Sequence, residues 1–169
     1  MASCDYCNTT ILFGGVRDGE LRFCNETCHQ NACVVSVAGA LPEADLSLLV
    51  EQVHSGPCPI CEGPGPVDIH RVHKVWSLLL MCSCRSDPCL CCRACGARRQ
   101  TAAILYSLAL GWWSLPWGLI MTPIQIGRNL LGIVQGPNPL QPSDALDEAI
   151  RLDIAAGILN SQAEAQPLD

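Results

Sequence analysis

The chain has 169 residues, a net charge of −6, only 5% aromatic residues and thirteen cysteines. That length leaves room for one medium domain or two or three very small ones, and excludes a large enzyme core with accessories. So many cysteines beside so few large core residues predict that bound metal or crosslinks stand in for part of a hydrophobic core.

The first ten residues, MASCDYCNTT, lack the charged start, apolar run and small-residue cleavage site of a secretory signal. A reducing cytosol is therefore expected, where paired cysteines bind metal more often than they bind each other. Charge is unevenly placed. Residues 57–100 carry six basic and three acidic groups, residues 101–135 a single arginine, and residues 136–169 one basic and six acidic groups. A net-basic stretch against an uncharged one is the arrangement found where cytoplasmic segments meet a membrane. A nucleic-acid binder is usually basic over a whole module, so nucleic acid is the less expected partner.

In residues 1–40, Cys4 and Cys7 form a C-x-x-C turn, followed by the apolar TILFGG, the turn-rich RDGE and then LRFCNETCHQ. Two short strands about a glycine-containing turn predict a hairpin. Asn25 and Glu26 open a helix that sets Cys24 and Cys28 on one face of its first turn. Four thiolates from one tight turn and one helix start close a tetrahedral zinc site, and the helix N-terminus favours the negative sulfurs. His29 is expected at the surface rather than as a further ligand, and Cys33 as a small apolar packing residue. Residues 41–56 read as a linking helix, with Pro42 at its start and Gly56 as its stop.

In residues 57–99, Cys58 and Cys61 form a second C-x-x-C turn and pair with Cys92 and Cys95, where Gly96 is expected to let the chain turn under the metal. The intervening VDIHRVHKVWSLLLM suits a strand pair, and two knuckles clamped over a β-hairpin make residues 57–99 a zinc ribbon. With RSDP at 85–88 as a four-residue loop, Cys84 faces Cys89 and Cys82 faces Cys91, all on one face of the hairpin. Those four are open to three readings: a further zinc site, cross-strand disulfides, or small packing side chains. The third is favoured, because a flat strand pair lacks the tight turns of structural zinc sites. His70 and His73, three apart, point to opposite faces and do not chelate together. Neither module offers an open three-ligand site with a nearby base, and no nucleophile elbow, phosphate-binding loop or H-E-x-x-H is present, so no enzymatic activity is expected.

Gln100 to Gly127 contains no charged residue, enough to cross a bilayer once. Its centre, however, clusters Trp112, Trp113 and Trp117 with Pro116, and tryptophan prefers the interface. Arg98 and Arg99 precede it and Arg128 follows, so both ends suit one cytoplasmic face. Over residues 100–135 this predicts a broken helix or shallow hairpin inserted from that side. A soluble helical pair packed on the ribbon is the competing expectation. In residues 136–169, Ser143 is a plausible N-cap and Leu146, Ile150, Ile154 and Ile158 form one stripe of an amphipathic helix. The final NSQAEAQPLD is expected to be disordered.

Taken together, the chain predicts small α+β zinc-stabilised modules, followed by a helical hydrophobic segment and a C-terminal amphipathic helix. The order CDYC…RFCNETCH, CPIC…GPGPVDIH…VWS, CRACG and LGWWSLPWGLIMTPIQIGRNL resembles a little-characterised group of bacterial proteins that join zinc-ribbon modules to a tryptophan-rich hydrophobic segment and are labelled as membrane proteins. The N-terminal part resembles a treble-clef zinc knuckle. The likeness spans roughly residues 1–135 and supports Cys58, Cys61, Cys92 and Cys95 as ligands, whereas Cys82, Cys84, Cys89 and Cys91 depart from the pattern. The leading expectation is a non-enzymatic, membrane-associated interaction or scaffolding module with two structural Zn2+ sites facing the cytosol and an unidentified protein partner. One alternative is a thiol-redox or metal-handling protein using Cys82, Cys84, Cys89 and Cys91. Another is a nucleic-acid-binding ribbon contacting phosphate through its arginines and Lys74.

Overall fold

A computed structural model of the chain describes residues 2–78, 81–114 and 116–165. The chain forms two compact units, Met1–Leu46 with Glu148–Asp169, and Ser47–Asp147.

In the first unit, β1 (Ala2–Ser3) pairs antiparallel with β2 (Thr10–Ile11), and β3 (Val16–Asp18) with β4 (Leu21–Phe23). The second pair turns at Gly19, whose φ of 57° is open to glycine at little cost. The hairpin is thus narrower than TILFGG suggests, because Thr10–Ile11 is taken by β1. Asn25 caps α1 (Glu26–Gly39), its side chain accepting the Cys28 N–H at 2.8 Å. The next helix, α2 (Glu43–Ser55), starts after Pro42 and stops at Gly56, as the sequence predicts.

The second unit is organised by a long antiparallel hairpin, β5 (Val67–Leu78) with β6 (Met81–Cys92), in unbroken register from Val67↔Cys92 to Leu78↔Met81. This overturns the loop expected at RSDP. Arg85 to Pro88 are strand residues opposite Lys74 to Arg71, and the pairing continues to Leu78↔Met81. Proline misled the reading, since Pro88 is tolerated on an edge strand, while SLLLMC carries no turn residue at all.

Two helices, α3 (Arg93–Leu110) and α4 (Trp117–Gln135), form an antiparallel pair packed on β5. A Cβ on Gly132 would fall 2.4 Å from Gln100 Nε2, and one on Gly118 2.6 Å from the Gly111 carbonyl, so the helices approach more closely than any larger residue allows. α3 runs across the boundary expected between residues 99 and 100. Within the expected 100–135 segment, α3 ends at Leu110 and α4 begins at Trp117.

β6 covers one edge of β5. The other edge would leave backbone groups unpaired, and side chains of α3 and α4 fill it. Gln100 Nε2 donates to the Arg71 carbonyl (3.1 Å), and the His73 N–H donates to Asn129 Oδ1 (2.9 Å). Asn129 Nδ2 donates to the His73 carbonyl (2.6 Å), the Val75 N–H donates to Ser107 Oγ (3.2 Å), and Ser77 Oγ donates to the Gly111 carbonyl (2.6 Å). Backbone groups of Arg71, His73 and Val75, alternate residues as period-2 geometry requires of one strand edge, are therefore each met by a helix side chain, while Ser77 reaches the end of α3 through its own hydroxyl.

The consequence for the helices is inversion. α3 buries Gly96, Gln100, Ala103 and Ser107, and α4 buries Gly118, Thr122, Gln125 and Asn129, the same spacing in each. Their leucines, isoleucines and tryptophans face outward. At the opposite end, Asp68 is buried and accepts the N–H (3.0 Å) and hydroxyl of Ser143, which caps α5 (Asp144–Ala165). α5 continues through Ala165, so the disorder expected from Asn160 does not hold up to that point. Residues 166–169 of that expectation lie outside the described residues.

Asn129→Ala strands one N–H and one carbonyl of His73 and is expected to destabilise the protein by about 2–4 kcal/mol. Leu105→Gln, on the outward face of α3, should stay within about 0.5 kcal/mol. Urea unfolding of both variants, followed by far-UV dichroism, checks the contrast.

Candidate metal centres

Two groups of four cysteines converge: Cys4, Cys7, Cys24 and Cys28 in the first unit, and Cys58, Cys61, Cys92 and Cys95 in the second. Within each group all four sulfurs lie within 4.8 Å of one another. The sulfur–sulfur edges are 3.7 Å for Cys7–Cys24, 3.3 Å for Cys24–Cys28 and 3.8 Å for Cys61–Cys92. Thiolates about 2.3 Å from a tetrahedral zinc stand about 3.8 Å apart, so both groups fit structural zinc sites. They comprise the same eight cysteines singled out from the sequence.

The two sites are built alike in detail. In each C-x-x-C loop the first cysteine's N–H donates to the carbonyl five residues on, Cys4 to Thr9 and Cys58 to Gly63, both at 2.9 Å. Its carbonyl accepts from the residue four on, Asn8 or Glu62. Those two residues have φ of 57° and 56°. Each loop is followed by an antiparallel hairpin and then by a helix whose start carries the remaining ligands. Cys24 precedes the Asn25 cap and Cys28 lies in the first turn of α1, while Cys92 is the cap residue of α3 and Cys95 lies in its first turn. In both, the third ligand's N–H reaches the first ligand's sulfur: Cys24 to Cys4 Sγ at 3.4 Å, Cys92 to Cys58 Sγ at 3.3 Å.

The second site thus lacks the second tight turn read from CRACG. Gly96 is helical, and its bareness serves the His70 ring, which a Cβ there would meet at 2.5 Å. Proximity to a helix start and backbone donors explains the electrostatics. Burial raises the Cys4 thiol, yet N–H groups of Cys7, Cys24 and Tyr6 bring it down to about 6. The Cys92 N–H leads the lowering of Cys58 to about 6. Cys28 and Cys95 are pushed up to about 12, chiefly by their hydrogen bonds to Cys24 and Cys61. Each cluster therefore combines a thiol shifted down with one shifted up, and binding a cation would release protons from the latter.

The remaining candidates fall outside the clusters. Cys82 and Cys84 stand opposite Ser77 and Val75, whereas Cys89 and Cys91 stand opposite His70 and Asp68. With unbroken alternation the two pairs occupy opposite faces of β6, which corrects the single four-cysteine face expected from the misplaced loop. Cys91 is fully buried against Cys58 and Val67, and burial pushes its thiol up to about 12. Burial also raises Cys82. His29 bridges Asp18 (3.1 Å) and Glu26 (3.4 Å), which raise its pKa, and Cys33 Sγ is 3.7 Å from its ring. His70 is buried and its pKa lowered by that burial, and His73 bonds Ser86 at 2.7 Å.

The residues the sequence reading overlooked are the buried polar groups of α3 and α4. Their signal was present as G-x-x-x-Q-x-x-A-x-x-x-S and G-x-x-x-T-x-x-Q-x-x-x-N, a polar stripe at helical period inside an apolar span. Compared with protein-family models, curated proteins and solved structures, the chain matches none of them.

Metal analysis of protein purified without added zinc should give two zinc ions per chain, and Cys58→Ser or Cys28→Ser should each lower the count to one. On brief alkylation of the zinc-loaded protein, peptide mass mapping should find exposed Cys84 modified and buried Cys91 protected; equal labelling of the two would contradict their placement.

Proposed function

We propose that this is a non-enzymatic, zinc-built, membrane-associated protein that acts as an interaction or scaffolding module, with its metal modules on the cytosolic side and a surface offered to a protein partner. The observation that carries this reading is the inverted helix pair. A helix on a water-soluble core buries its apolar stripe and exposes polar residues. Here Gln100, Ser107, Thr122, Gln125 and Asn129 are buried while Leu105, Leu108, Trp113, Trp117, Ile120 and Ile124 are exposed, Trp113 by 68% and Trp117 by 59%. Lipid imposes that inversion, since polar groups must be satisfied inside the protein and apolar ones face outward.

Among the described residues no single helix is long and apolar enough to cross a membrane, and a helical hairpin resting in one leaflet needs none that is. The non-enzymatic part of the reading draws on the four-thiolate sites, which leave no ligand position for a substrate or water. Loop, hairpin and helix start in the same order at both sites favour treble-clef-type modules for each, over a ribbon for the second. Zinc then folds small units whose apolar burial is insufficient.

All four tryptophans, Trp76, Trp112, Trp113 and Trp117, are at least 40% exposed, so intrinsic fluorescence reports on this surface. Mixing with phospholipid vesicles should shift the emission to the blue and carry the protein upward in a flotation gradient. A monodisperse protein in detergent-free buffer that neither floats nor shifts would refute the membrane reading.

A further inference from the structure

The outward apolar surface has a sharp lower limit. In the second unit, residues 75–84 and 100–127 contain no charge. The last charges before them are Lys74 and Arg85, directly opposite each other on the hairpin, Arg99 on α3 and Arg128 on α4. From Arg99 to Leu110, and from Arg128 back to Trp117, each helix rises about 17 Å. The hairpin extends about 13 Å from the Lys74–Arg85 pair to the Leu78–Met81 pair. Three elements of different rise therefore end their uncharged stretches at similar reach, close to the ~15 Å of one hydrocarbon leaflet. Ser77 bonding the Gly111 carbonyl ties the hairpin tip to the turn between the helices, and Trp113 satisfies its own indole N–H on the Ala109 carbonyl at 2.9 Å.

At the charged limit lie two clefts, each joining a strand cation to a helix cation. Lys74 and Arg99 line one of about 590 Å³, together with Asp87, Cys89 and Tyr106. Arg71 and Arg128 line the other, of about 250 Å³, with His73, Gln100, Gln135 and Leu131. The second contains no carboxylate; burial, and then the nearby charges of Arg128 and Arg71, lower the pKa of His73. Among the described residues neither arginine is in an ion pair. Two exposed, unpaired guanidinium groups beside the outward Leu131 combine a phosphate fork with an apolar wall.

We infer that the cleft between Arg71 and Arg128 binds the phosphate of an anionic phospholipid, fixing the charged collar at headgroup level while the uncharged end occupies one leaflet. This rests on the membrane reading above and adds the lipid class and the residues that select it. A charged head over an apolar wall is the chemistry of a lipid at the interface, and an arginine at that depth remains hydrated while its partner phosphate supplies the counter-charge.

The test compares binding to vesicles of phosphatidylcholine alone and of phosphatidylcholine with phosphatidylglycerol, at fixed moderate salt, by flotation and tryptophan emission. The wild-type chain should prefer the anionic vesicles. The double variant Arg71→Gln, Arg128→Gln should lose about 30-fold in affinity for them and keep its binding to neutral ones. A charge-matched control, Arg17→Gln with Arg22→Gln in the first unit, should change little. Zinc content and dichroism confirm that both variants fold. Equal wild-type binding to the two vesicle types, or equal losses in both double variants, would overturn the headgroup site and leave membrane association standing. Failure of the wild type to bind either vesicle would remove both. Unchanged vesicle binding by Arg71→Gln, Arg128→Gln, with loss of a single-stranded oligonucleotide retained by the wild type at low salt, would reassign the cleft to nucleic acid.

Discussion

The free edge of β5 is the constraint from which the second unit follows. A two-stranded sheet leaves one row of N–H and carbonyl groups on each strand without a neighbour, and burying such a row without partners costs more than any single packing contact returns. Here the inner row is met by Gln100, Ser107 and Asn129 rather than by a third strand. Gln100 and Ser107 on α3 and Asn129 on α4 therefore sit in the buried stripes, and bare positions at Gly96 and Gly132 leave room for the His70 ring and the Gln100 side chain. Leucine, isoleucine and tryptophan are left for the outside. The apolar exterior is thus the counterpart of a satisfied backbone inside.

The metal centres solve a different difficulty. The metal-bearing part of the first unit, residues 2–39, contains strands of two or three residues and α1, tied to them through Phe23, which packs near His29 with ring centroids 5.1 Å apart. So little buried apolar area leaves a small module marginal. Four sulfurs on one cation supply the missing crosslink, and the N–H bonds from Cys24 to Cys4 and from Cys92 to Cys58 fasten helix start to loop at both sites. The hairpin length differs greatly between the two. In the first it is only a spacer between ligand pairs, whereas in the second β5 and β6 extend far beyond the metal and carry the helical pair.

That extension separates two chemistries within one unit. Near the metal end, Asp68 joins the start of β5 to the cap of α5, and His54 Nδ1 donates to the Val67 carbonyl at 2.9 Å. At the far end the hairpin and the helix turn meet in uncharged, exposed side chains, with the cationic collar between. The second unit thus carries its four-cysteine cluster at one end of the hairpin and its uncharged, exposed side chains at the other.

The sequence by itself determined the eight ligands, because C-x-x-C spacing and ligands at a helix start are local geometry that needs no distant contact. It likewise determined α2 between Pro42 and Gly56 and the cap at Ser143, where the side chain bonds its own helix. Tertiary structure decided the rest. The strand pairing continues through RSDP to Leu78↔Met81, a register that local turn preference does not predict. That register sent Cys82 and Cys84 to one face and Cys89 and Cys91 to the other. Gly96 was read as a turn and serves as a seat for His70, a partner more than twenty residues away. Gln100, Ser107 and Asn129 were written in the chain, yet their role depended on the unpaired edge they cover, which exists only once β5 and β6 have paired.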